Sequence, residues 1–445
     1  MSHNTVCRLL VASIALLATA ASCSARPTSA SDCGPGVDAS PFNATRRYYS
    51  GRLATFDILF VVDNSGGMDG PQEELVRSFP TLVETLLHPI WGGNTDLHIG
   101  VVSTDLGTGS NDLPTCKVGG GDAGRLQSQP QRQGCQPPSD PWISYAKGKT
   151  NVPNCKGNPK QCLQDAFACI APLGVMGCGF EMPLEAARRA LDPKLRLNPG
   201  FLRPEAWLVV FFVSDEDDCS AKDLALFDPQ QQGLSDPLGP LTSFRCFEFG
   251  VRCNVNGRQT LGERKGCVPD FDWLHRIESY ERFYEQLKGS RHRVLMGAIT
   301  GPPEPVIVGM DGANPRLEDS CVGRGSPAVR TMSLVNAFRG SFASICEPAK
   351  YGDLFDVFAP MFTTGEGGAC IDKPLLLANG GVACHAGVGP CKIPACAAGD
   401  CNEETGYCEV GGEPTGKLCG VTCLDKVEAR VTQIENPDSP VEKRR

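Results

Sequence analysis

From Trp207 to Val213 the chain runs through seven consecutive apolar residues, Trp-Leu-Val-Val-Phe-Phe-Val, and after one serine it meets four acids, Asp215-Glu216-Asp217-Asp218. An unbroken apolar run of this kind suits a strand buried on both faces, which is the condition of an inner strand in a parallel sheet. Ile58-Leu59-Phe60-Val61-Val62 repeats the pattern and stops as sharply, at the turn sequence Asp63-Asn64-Ser65-Gly66-Gly67. Residues 97–102 and 294–299 read as further strands, the first ending at Ser103-Thr104-Asp105.

Helical stripes lie between these strands. Leu75, Val76, Phe79, Leu82, Val83, Leu86 and Leu87 recur at three- and four-residue steps, and Pro80 is expected to kink or split that helix. Leu184, Ala187 and Leu191 form a second stripe, and Trp273, Ile277, Tyr280, Tyr284 and Leu287 a third. Residues 161–170, 328–338 and 353–362 also read as helical. Strands alternating with helices predict an α/β fold with a doubly wound, mostly parallel sheet.

The periodicity breaks twice, at about 107–177 and 219–267, where Gly, Pro and Cys accumulate; both stretches read as insertions stapled by disulfides. The chain holds 23 cysteines without one Cys-x-x-Cys pair, so zinc is a poor reading and disulfides a good one. From residue 370 to 427 cysteines lie among Gly, Ala and Pro with almost no apolar pattern, as in a small module held by disulfides, and a polar tail follows over 428–445.

The N-terminus carries Arg8 and then an apolar run to Ala21, too short to span a membrane, which reads as an export signal over 1–22. Ala20-Ala21-Ser22-Cys23 resembles a bacterial lipobox with Ala20 in the usual Leu position, and implies lipidation of Cys23 as the only membrane attachment. Simple secretion is the alternative. Residues 23–54, rich in Ser, Pro, Ala and Gly, suit a tether, which leaves 55–369 as the α/β domain. The expected location is the bacterial cell envelope, anchored at the outer membrane or extracellular. A net charge of −9 with no basic face speaks against nucleic acid as a partner.

In a doubly wound sheet, ligands gather at the carboxyl ends of the strands. The two most apolar strands end in Asp63-x-Ser65 and in Asp215, a pairing of carboxylates and a hydroxyl that supplies hard oxygen ligands for Mg²⁺, Mn²⁺ or Ca²⁺. At these residues the chain resembles the von Willebrand factor type A (vWA) family, and more narrowly the large vWA proteins of bacterial envelopes. The stretch 57–68 is similar to the family's first strand and Asp-x-Ser-x-Ser loop, and 212–216 to the strand and loop of its distal Asp. The resemblance implies a metal-ion-dependent adhesion site in which Asp63 holds a divalent cation through water, Ser65 ligates it directly and Asp215 completes the outer shell. It also implies a protein partner bound through an acidic side chain.

Two positions depart from that pattern. Gly67 stands where the second Ser belongs, and no Thr occurs near Cys178, where the family's Thr is expected. Glu181, Thr104 and Asp105 are the residues able to replace the lost oxygens. The competing reading is a site that has lost its metal, in which Asp63 caps a helix or ties loops together within a structural scaffold. Of the acidic run, only Asp215 receives a role, the rest reading as a solvated loop. No Gly-x-Ser-x-Gly elbow or Gly-x-x-x-x-Gly-Lys-[Ser/Thr] loop is present, and a hydrolase ranks below both binding and structural readings.

Overall fold

The computed structural model describes residues 55–87, 95–116, 119–130 and 134–355, together with short strands at 375–376, 382–384, 400–401, 407–410 and 413–418. The export signal, Cys23, the tether and the polar tail lie outside the described residues. The chain divides into two compact units, one of Leu53–Phe362 and one of the two terminal segments. Within the terminal unit, Leu375–Leu376 pairs antiparallel with Val382–Cys384, and Tyr407–Val410 pairs antiparallel with both Asp400–Cys401 and Glu413–Leu418.

The larger unit is built on a seven-stranded sheet. Five strands are mutually parallel: β1 (Thr55–Val62), β2 (Asp96–Ser103), β5 (Trp207–Val213), β9 (Val294–Thr300) and β12 (Ser341–Ser344). β3 (Ile143–Ala146) and β4 (Lys149–Thr150) extend the β2 edge antiparallel, so that the order is β12-β9-β5-β1-β2-β3-β4. Every residue of β5 is buried, as its composition requires, and β1 lies beside it at the centre.

Alternation along β1 separates the two faces. Phe56, Ile58, Phe60 and Val62 pack with Leu75, Phe79 and Leu82 of α1 (Asp69–Leu86) and with Leu163 and Phe167 of α2 (Pro159–Ile170). Leu59 and Val61 face the other way, onto Leu184 of α3 (Pro183–Leu191). The same face carries Tyr280 and Tyr284 from the second crossover helix, and Leu334 and Val335 from the third. The protein therefore has the α/β, doubly wound, mostly parallel architecture of the vWA and Rossmann-like class.

Of the two outcomes expected at Pro80 the split does not occur: the flanking Phe79, Leu82 and Val83 are fully buried, and packing of that stripe outweighs one lost backbone hydrogen bond. The two insertions differ from the sequence reading. The first insertion is not wholly irregular, since it contributes the β3–β4 hairpin at the sheet edge. The second insertion contains the short helix α4 (Phe244–Gly250) and two strand fragments, β6 (Val251–Arg252) and β7 (Gly262–Arg264). Beyond it come β8 (Val268–Pro269), α5 (Ile277–Lys288), the hairpin of β10 (Val306–Asp311) with β11 (Asn314–Leu317), and α6 (Val329–Ala337).

Six disulfides join the cysteines described in the larger unit: Cys116–Cys178, Cys135–Cys169, Cys155–Cys162, Cys219–Cys246, Cys253–Cys267 and Cys321–Cys346. The first of them ties the start of the first insertion to the segment that leads into α3, just below the candidate site.

Candidate functional site

The loops leaving the carboxyl ends of β1, β2 and β5 meet around Asp63, which is fully buried. Asp63 continues β1 by donating its backbone N–H to the Val213 carbonyl (2.9 Å), and its carboxylate then collects donors from three segments. Oδ1 accepts from the Ser65 N–H at 2.7 Å, closing an Asx turn, and from Thr104 Oγ1 at 3.4 Å; Oδ2 accepts from Ser214 Oγ at 2.7 Å. Asp63 does not cap α1, whose N-cap is Met68. It ties the β1, β2 and β5 loops together.

Gln72, on the first turns of α1, holds this loop from behind. Its Nε2 donates to the Asp63 carbonyl (2.7 Å) and the Gly174 carbonyl (2.9 Å), while Oε1 accepts from the Leu173 N–H (2.9 Å). Sequence reasoning missed Gln72. The available signal was a polar residue on the apolar face of an amphipathic helix.

Ser65 is buried at 5% exposure beside Asp63, and Asp215, at 7%, follows β5. Thr104, fully buried at the end of β2, is the hydroxyl nearest to a replacement for the missing Thr. Its carbonyl accepts from the Met182 N–H (3.1 Å), which anchors the segment carrying Glu181. Asp105 turns elsewhere: its Oδ1 accepts from the Gly107 N–H (2.9 Å) and lies against Gly121, so it organises the loop after β2.

The electrostatics are one-sided. Glu181 is 2% exposed, and burial, with repulsion from Glu216, Asp63 and Asp215, holds its carboxyl well above the usual range. Burial pushes Asp215 up to about 8, with Asp63 and Glu216 adding to the rise. Glu216 rises to about 7, again through burial and then Asp63. Asp63 is raised by burial against the opposing pull of its own hydrogen bonds. Four carboxylates thus share one low-dielectric region. Asp215 Oδ1 and Glu181 Oε1 are buried in it without a hydrogen-bond partner.

An orphaned carboxylate oxygen in such a place wants a proton or a cation. The donor set, all carboxylate and hydroxyl oxygen, fits a hard divalent ion. Among the described residues, no three His, Cys, Asp or Glu side chains are already gathered as a metal cluster. The carboxylates ring the loop without converging on one point, and a site of this composition draws part of its shell from hydroxyls and water.

Gly67 has a positive φ of +117°, and a Cβ built there would lie 2.6 Å from Arg324 Nη1 and 3.0 Å from Asp215 Oδ2. The second Ser of the family pattern is therefore excluded by backbone conformation and by the arginine that reaches over the loop. Gly67→Ser is expected to cost about 1–3 kcal/mol, read as a lower melting temperature, without tightening Mn²⁺ binding. An unchanged melting temperature with tighter binding would show that the loop relaxes and that the glycine is incidental.

The rest of the acidic run is structural rather than solvated. Asp217 caps α6, accepting from the N–H groups of Arg330 (2.8 Å) and Thr331 (2.9 Å). Asp218 accepts from the buried Arg330 Nε (3.1 Å) and from the Leu184 N–H (3.2 Å) at the start of α3. Two acids face the site and two build the frame around it.

No family model matches the chain, and no curated protein matches it. Among solved structures it is similar to proximal thread matrix protein 1 from the mussel byssus, with 9% identity and a TM-score of 0.30 over 73% of this chain and 51% of that one. It is similar to a von Willebrand factor type A protein from Catenulispora acidiphila, with 12% identity and a TM-score of 0.27 over 71% and 43%. It is also similar to the pilus adhesin RrgA from Streptococcus pneumoniae, with 8% identity and a TM-score of 0.30 over 70% and 45%. The chain spans about half the length of these proteins or less. The fold rests on the sheet topology itself and not on these likenesses.

Proposed function

We propose that the chain is an exported vWA-type binding protein, lipid-anchored through Cys23, whose Asp63 loop holds a divalent cation and so engages an acidic group on a protein partner. The observation that carries this reading is the mutually repelling set of Asp63, Glu181, Asp215 and Glu216, the first three buried, with orphaned oxygens on Asp215 and Glu181. Ser65 and Asp215 offer oxygens to the ion. Asp63, its oxygens already engaged by Ser65, Thr104 and Ser214, acts through water. Glu181 supplies the charge that the absent Thr and second Ser do not. Once bound, the ion provides an open coordination position for an oxygen anion. On this reading every residue of the set binds or orients, and the chain is taken as a binding protein.

A metal-free structural scaffold is the second reading, favoured by the exposed Arg324 guanidinium, which sits against Gly67 and draws the Asp215 carboxyl downward. Calorimetric titration with Mg²⁺, Mn²⁺ and Ca²⁺ separates the two. The first reading expects binding by the wild type and at least about tenfold weakening in Asp63→Ala, Ser65→Ala and Asp215→Ala. No heat of binding at millimolar ion sinks it and leaves the scaffold.

A further inference from the structure

A cleft of 290 Å³ opens beside the site, between α4, β11 and the loop after β5. Its inner end is formed by Glu181 and Glu216, and the Glu216 carboxyl reaches both Glu181 and Ser243. Phe244, Phe247 and Leu317 line its sides. Exposed Asp311 and Asp319 stand at its mouth. Arg316, the one cationic residue among those lining it, is paired with Glu318 at 2.5 Å.

We propose that this cleft binds an alkylammonium group, a lysine side chain of a partner or a small free amine, with the charge against Glu181 and Glu216 and the stem along Phe244, Phe247 and Leu317. Glu181 Oε1, on a side chain 2% exposed, is the buried acceptor without a partner that such a group would meet, and Thr242 Oγ1 in the same lining is a second. Among the residues lining the cleft Arg316 is the one cation and Glu318 engages it, so an ammonium group would supply the counter-charge that Glu181 and Glu216 lack there. Beside these oxygens the cleft has aromatic and aliphatic walls in Phe244, Phe247 and Leu317, which a bare metal ion would leave unused. Those walls do suit the methylene stem of a lysine, whose charged end then lies deep among acids.

The test is titration of the full chain, in chelator, with N-acetyl-lysine methylamide, 1,5-diaminopentane and the uncharged N-acetyl-norleucine methylamide. The amines should bind, the norleucine compound should not, and Glu181→Gln or Glu216→Gln should weaken the amines at least about tenfold. Leu317→Trp, which fills the cleft from a partly exposed wall, should block the amines while leaving Mn²⁺ binding unchanged. Tighter binding of the blocked lysine assigns the cleft to a polypeptide partner, and tighter binding of the diamine to a free amine. Equal binding of the norleucine compound, or no binding of either amine at millimolar concentration, overturns the proposal. Ser65→Ala separates the two sites, since it should abolish ion binding and spare the amines.

Discussion

Arg330→Met is expected to remove about 3–5 kcal/mol of folding stability, read as a fall in denaturant midpoint at constant slope under non-reducing conditions. The side chain is 1% exposed and carries the junction of three segments. Nε donates to Asp218 Oδ2 (3.1 Å), Nη1 to the carbonyls of Asp270 (2.8 Å) and Gly250 (3.3 Å), and Nη2 to that of His275 (2.7 Å). Methionine keeps much of the volume but leaves Asp218 as a buried charge without its cation and the carbonyls of Asp270 and His275 without the guanidinium, while that of Gly250 keeps the Asp270 N–H (2.7 Å). Because Asp218 also receives the Leu184 N–H, the loss should reach α3 and the segment that carries Glu181. A double variant with Asp218→Leu should recover part of the loss, since removing both charges relieves the unpaired one, but not all of it, since the start of α3 stays uncapped. A loss below about 1 kcal/mol would mean that water reaches the pair and that it behaves as a surface ion pair.

Arg330 also shows where sequence reasoning stops. The strands were legible because β1 and β5 are apolar without interruption, and only a sheet covered on both faces buries such segments whole. The helices on those faces were legible from their stripes. The β3–β4 hairpin was not, since a strand of four residues paired to one of two carries too little pattern to rise above its loop. Asp217 and Asp218 looked solvated because the start of α6 and Arg330 lie more than a hundred residues downstream and the start of α3 well upstream, and nothing local announces that an acid will cap a distant helix.

The candidate site divides in the same way. Asp63 and Asp215 follow from the rule that ligands gather at strand ends, and the structure places both at the carboxyl ends of adjacent strands. Gly67 looked like a lost ligand. Its positive φ and the nearness of Arg324 make it a conformational requirement of this loop. Arg324 had no sequence signal, because what matters is the position of its loop, held by Cys321–Cys346 and by the Ser326 N–H on the Asp215 carbonyl (2.8 Å).

In chelator, the melting temperature of the protein is expected to fall as pH rises from about 5 to about 9, and millimolar Mn²⁺ should restore it most strongly at the alkaline end. The sign follows from the direction in which burial moves these carboxyls. Asp215 is raised from 3.8 to about 8 and Glu216 from 4.5 to about 7, with Glu181 and Asp63 raised beside them. Between the unfolded and folded values the native state holds protons that the unfolded chain has released, so its stability is fully present below the unfolded values and is lost as pH climbs through the folded ones. A tenfold change in a carboxyl's proton affinity is equivalent to about 1.4 kcal/mol, but the four groups titrate as one interacting set, and partly exposed Glu216 is screened, so a total of several kcal/mol is the expected scale. Arg324 and any cation in the cleft work against this loss. A bound divalent ion must first displace those protons, so its affinity should rise over the same interval, with proton release on binding. Asp215→Asn should flatten the pH profile and leave the chelated protein more stable than wild type near pH 8, while abolishing the response to Mn²⁺. A flat profile in chelator would mean that water screens the four carboxylates from one another, and the main physical support for a cation site at the Asp63 loop would be gone.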